Sequence, residues 1–153
     1  MYTMPSHCCE TLYTLLTSGS LLRKQPQYQP HGYRQYDYAI QDLDEDCVAY
    51  WQLTDETKIT AETVTTATYP LHVDVGSAWG GMPRTSHCVL NVLPKPITIT
   101  FETEPSVTLQ QGNWFVLNSQ LLHGAECEPP HTVICIDHGE PHDQYVQRWS
   151  DYV

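Results

Sequence analysis

Residues 69–76 read Tyr69-Pro70-Leu71-His72-Val73-Asp74-Val75-Gly76. A short apolar and β-branched run closed by glycine reads as a strand. Side chains at i and i+2 of a strand share one face. His72 and Asp74 therefore project side by side, with Leu71, Val73 and Val75 on the opposite face. One imidazole and one carboxylate on a common face make two corners of a metal site. His123, further along the chain, offers a third.

The chain around this stretch is strand-leaning. Beyond it, residues 69–75, 86–93, 96–101, 106–109, 113–118 and 131–137 read as short strands separated by Gly and Pro. Strands at such spacing predict an all-β sandwich or barrel. A glycine-rich loop, 76–83, follows the His/Asp pair, and its segment 76–81 suits a lid. Gly112 marks a tight turn. Before the opening strand, 47–53 reads as a strand, 54–57 as a turn, and 58–68 alternates in a β-like way. The acidic run 42–46 reads as a solvated turn; it lacks the spaced ligands and glycine of an EF-hand.

Residues 24–38 read as a loop because of Pro26, Pro30 and Gly32. The loop is dense in Tyr and holds His31 and Arg34. Tyr suits a pocket wall, having a broad face and one polar tip. Leu12, Tyr13, Leu15 and Leu16 fit a short amphipathic helix stopped by Ser18-Gly19-Ser20. Tyr145, Trp149 and Tyr152 near the C-terminus fit a short closing helix or an extended tail.

A length of 153 residues predicts one domain, 1–153, with its core at about 47–137. The formal charge of −11 argues against a surface for nucleic-acid backbone, which needs clustered Lys and Arg. None of the six cysteines forms a CxxC pair, so a zinc ribbon is not expected. No basic segment followed by an apolar run opens the chain, and no apolar stretch approaches the about 18 residues of a membrane span. A cytoplasmic protein with reduced, largely buried thiols is the expectation. His138-Gly139-Glu140 and His142 form a rival cluster, but Gly139 and Pro141 forbid a regular helix, so it reads as a loop.

Two His and one carboxylate with open positions form the facial triad of non-haem Fe(II) sites. His72-Val73-Asp74, Leu90-Asn91, Gly112 and His123-Gly124 stand in the order and rough spacing of the Fe(II)/2-oxoglutarate-dependent oxygenases, a double-stranded β-helix (jelly-roll) superfamily. The chain resembles this family over about residues 69–137, and in particular its compact phage and bacterial members. The resemblance implies a mainly β jelly-roll with one or two short flanking helices. It implies Fe(II) held by His72, Asp74 and His123, with 2-oxoglutarate on the open positions. The activity implied is hydroxylation of a small molecule or a side chain, in the cytoplasm of a host if the chain is phage-encoded. The cosubstrate would lie against His131, Thr132, Arg84 and Asn91. Tyr69, Trp79 and Trp114 would wall the substrate pocket.

One departure stands out. The family has an Arg about ten residues after the distal His, pairing with the far carboxylate of 2-oxoglutarate. Residues 125–135 contain neither Arg nor Lys. Either His131, helped by Thr132 or Arg84, does that work, or the cosubstrate differs, or the domain performs no oxidation. The alternative is a non-catalytic jelly-roll module that keeps the scaffold and the metal for binding or structure. A cupin-type metalloenzyme without 2-oxoglutarate is a further option, although cupins carry more His on the first metal strand.

Overall fold

The structure is a computed structural model, and it describes residues 1–20, 25–37, 43–73 and 86–152. Asp74, Trp79 and Arg84 lie outside the described residues, as does the proposed lid.

Among the described residues, eleven strands build two antiparallel sheets. The larger has the order β1 (Tyr2–Thr3), β9 (Asn113–Leu117), β6 (His87–Leu90), β11 (His131–Asp137), β4 (Lys58–Val64), β3 (Gly32–Asp37) and β2 (Gln27–Gln29). The smaller has the order β5 (Thr68–His72), β10 (His123–Cys127), β7 (Ile97–Phe101) and β8 (Val107–Leu109). From β4 to β11 the chain passes back and forth between the sheets, pairing first strand with last, β4 with β11, and second with second-last, β5 with β10. This winding is a double-stranded β-helix, the mainly β jelly-roll expected above.

Strand alternation sorts the side chains into two cores. Val89, Phe115, Leu117, Val133 and Cys135 of the larger sheet meet Ile97, Ile99, Leu109 and Ala125 between the sheets. Their sequence neighbours Leu90, Trp114, Ile134 and Ile136 face outward and are covered by helices. Those helices are α1 (Ser6–Thr17), α2 (Glu45–Tyr50) and α3 (His142–Arg148). Leu12 and Leu16 of α1, Cys47 of α2 and Tyr145 of α3 bury the faces turned to the sheet. None of the described helices is long and apolar enough to cross a membrane.

Two segments depart from the sequence reading. Residues 47–53, expected as a strand, contain the end of α2. The deciding group is Asp44, whose side chain accepts the Cys47 N–H at 2.9 Å and caps the helix, with Glu45 and Asp46 in its first turn. A capping carboxylate and two acids near the positive end of the helix dipole outweigh the β-leaning Val48, Tyr50 and Trp51. Residues 24–38, expected as a loop, contain a hairpin: β2 pairs with β3 and β3 extends the larger sheet through β4. Pro26 lies outside the strands and Pro30 sits in the turn, so neither breaks a ladder.

Candidate metal and ligand cavity

β5 and β10 bring two predicted ligands together. His72 and His123 are register partners across these strands, with ring centroids 4.5 Å apart. The approach depends on Gly124. A Cβ there would stand 2.4 Å from the Tyr69 carbonyl oxygen, so any larger residue would push β5 away. The register shifts between His123 and Ala125 at this point. Bulges of this kind re-aim a side chain beside functional sites.

Both rings are held in the same way. His72 Nδ1–H donates to the Pro70 carbonyl at 2.9 Å, and His123 Nδ1–H donates to the Leu121 carbonyl at 2.8 Å. A carbonyl can only accept, so each Nδ1 carries the proton. In the neutral ring that leaves the lone pair on Nε2. Metal-binding histidines are oriented by this kind of second hydrogen bond.

His72 and His123 line a cavity of about 60 Å³ between the sheets. At about 10–15 Å³ per water-sized centre, that is room for a few water-sized groups or one end of a small ligand. The deep wall is apolar, formed by Val64, Val89, Ile97, Ile99, Leu117 and Val133. His87 of β6 lines it from the opposite sheet. Tyr69, expected in the pocket wall, is there too; its hydroxyl donates to Gln29 Oε1 at 2.9 Å and bridges β5 to β2. Gln29, Arg34, Tyr69 and His72 also line an outer groove with Pro30 and His31, so these four separate the cavity from the surface.

Arg34 belongs to the Tyr-rich segment expected as a pocket wall, whereas its partner Glu62 was not anticipated there. Arg34, Glu62 and Val133 lie side by side in register across β3, β4 and β11, and all three line the cavity. Arg34 Nε stands 2.9 Å from Glu62 Oε1, with the Arg side chain 19% exposed. Reading 24–38 as a loop hid the register that pairs them. The Tyr-rich composition of that segment, a β-propensity signal, pointed the other way.

Four predicted residues are placed elsewhere. Asn91 is fully buried: its Nδ2 donates to the Lys95 and Leu109 carbonyls, both at 2.9 Å, and its Oδ1 accepts the Leu93 N–H. It clamps the turn between β6 and β7 instead of meeting a ligand. Thr132 points to the helix-side face, with its hydroxyl 2.7 Å from that of Thr63. Trp114 is also on that face, stacked on Tyr2 and edge-on to Trp51 and Trp149. His131 is fully buried, and its Nε2–H donates to the Lys95 carbonyl at 2.9 Å. Burial, foremost, pushes its pKa below the ordinary imidazole value. His131 is committed to the Lys95 carbonyl and is not among the residues that line the cavity.

The His138 cluster is a packing device. His138 Nε2–H lies 3.0 Å from the Trp51 carbonyl, and its Nδ1 is 2.9 Å from the Tyr145 hydroxyl. Among the described residues, the group of three whose ligand atoms converge within 4.8 Å is His7, Asp44 and Asp46, an exposed cluster at the α2 cap. His72, His87 and His123 share the cavity without converging so closely.

No protein-family model matches the chain. No curated protein matches it. Solved structures do resemble it. KdgF from Halomonas sp. is 17% identical with a TM-score of 0.48, covering 80% of this chain and 93% of that one. Ectoine synthase from P. lautus is 8% identical with a TM-score of 0.49, covering 82% and 76%. An RmlC-like cupin protein from Desulfovibrio desulfuricans is 12% identical with a TM-score of 0.41, covering 56% and 74%. The fold assignment rests on the strand order itself, and no residue role is taken from these proteins.

Proposed function

We propose that the cavity holds a divalent metal and that the chain is a metal-dependent enzyme acting on a small molecule; in its most specific form it is an Fe(II)/2-oxoglutarate-dependent oxygenase. One observation carries the reading. Two histidines paired across adjacent strands, each with its Nδ1–H held by the carbonyl two residues before it, line one small cavity. Two imidazoles so oriented fit Fe(II), Zn(II) or a related ion. Asp74, two residues after His72, would supply the carboxylate. Bound Fe(II) would activate O₂ against a 2-oxo acid and so oxidise a C–H bond. The protein's own contribution is positional. Gly124 sets the spacing of the two rings, the carbonyls of Pro70 and Leu121 fix their tautomer, and the aliphatic wall excludes water.

A second reading has its own support. His87 lines the same cavity, and a three-His donor set suits Lewis-acid chemistry without 2-oxoglutarate. Anaerobic addition of Fe(II) and 2-oxoglutarate separates the two. The oxygenase reading expects a weak visible charge-transfer band that is lost in His72→Ala. Tight metal binding with no such band, weakened by His87→Ala, would select the three-His reading instead.

A further inference from the structure

We propose that Arg34 is the specificity-determining residue of this cavity and that the ligand is a small acid whose carboxylate pairs with its guanidinium. The inference rests on the reading above for the identity of the cavity as a ligand site, and extends it to the class of ligand.

Arg34 is the one Lys or Arg among the described residues that lines the cavity. The other described cations belong to other regions. Lys95 Nζ donates to the Glu128 and Pro130 carbonyls, Arg148 pairs with Glu140, and Lys58 begins β4 at the far end from Val64. A protein of net charge −11 repels anions at long range. An acid bound to the metal by one end still has its other carboxylate to neutralise, and Arg34 in the cavity wall is placed to do so.

Stability alone does not explain the charge. An ion pair held against an apolar wall gives up hydration that its own attraction only roughly restores, and apolar residues of similar size do as well or better. The neighbours on the same face are Val64 and Val133, so an apolar pair would continue the wall. Arg34 also lines the outer groove, beside Tyr69 and His72. An entering carboxylate would meet the guanidinium on the way in. A planar guanidinium suits two-point recognition of a carboxylate. Glu62 holds the Arg34 side chain in register and competes with the ligand for it.

That competition gives a test in which the sign of the effect is decisive. Glutarate and pentanoate share a five-carbon chain and differ by one carboxylate. Their affinities for the Zn(II)-loaded full-length protein are measured by calorimetry in wild type, Arg34→Gln, Arg34→Lys and Glu62→Gln, beside the Zn(II) affinity and Tm of each. Wild type is expected to prefer glutarate by about tenfold or more, the usual scale of one charge-assisted hydrogen-bonded pair. Arg34→Gln should reduce the preference to within about twofold, Arg34→Lys should keep part of it, and Glu62→Gln should increase it. A merely structural ion pair would make Arg34→Gln and Glu62→Gln act alike. Equal effects of the two, a preference that survives Arg34→Gln, or no glutarate binding at all would overturn the proposal. If wild type binds no Zn(II), the metal reading falls by itself. The same comparison in metal-free protein then decides on Arg34 alone.

Discussion

The two faces of the larger sheet are built to different ends. On the helix side, Trp51, Trp114, Trp149 and Tyr145 are fully buried and packed edge to face, and β9, β6, β11 and β4 contribute Trp114, Leu90, Ile134, Ile136 and Ile59. On the side facing the smaller sheet, the same strands carry His87, Glu62 and small or branched aliphatics around an unfilled space. One residue step along β6 changes His87 to Cys88; one step along β9 changes Trp114 to Phe115. The helix side supplies stability, and the inner side can therefore keep a hole and polar groups that cost stability.

That contrast predicts a separation of effects. The largest is at Trp114, which the sequence put in the pocket wall and the structure puts in the aromatic core. Trp114→Ala should cost about 3–5 kcal/mol in denaturant unfolding, with the metal affinity of the folded fraction unchanged. A loss of metal affinity in folded Trp114→Ala would break the contrast between the faces.

A smaller effect, again confined to the helix side, concerns Asp44. Its side chain caps α2 and also ties that helix to His7 and Thr11 of α1. The Cys47 N–H, first among these partners, holds its pKa at about 2. An unfolded Asp titrates near about 3.9. The folded value is the lower one, so Asp44 contributes stability that is full above the unfolded value and lost as pH falls through about 2. Asp44→Asn keeps a capping oxygen and removes the titration. The acid-side decline in stability between about pH 4 and 2 should become shallower in this variant. An unchanged decline would assign acid sensitivity to other carboxylates.

Much of the inner face was legible in sequence. His72 and His123 announced themselves through strand alternation and order, and β4 to β11 fell close to the expected segments, with β10 implied only by its histidine. What stayed hidden was nonlocal. Whether Trp114 or Phe115 faces the smaller sheet depends on which face the helices cover, and alternation alone does not say. Arg34 and Glu62 meet only because β3 pairs with β4 in one register. Asn91 looked chemical because Leu90-Asn91 matched the pattern of the family that the chain resembles; the carbonyls that claim its amide come from Lys95 and from Leu109, 18 residues away. The α2 error was local and avoidable, since an Asp followed by two acids is a helix-start signal.

The central claim is that His72 and His123 present their Nε2 lone pairs to one metal. Zn(II) titration of wild type, His72→Ala and His123→Ala by calorimetry, with Tm as the folding control, tests it most directly. The account predicts one site per chain of micromolar or tighter affinity in wild type. It predicts that either substitution weakens that site by about a hundredfold while the protein stays folded. Zn(II) binding that survives both substitutions, or no binding to wild type, would contradict it.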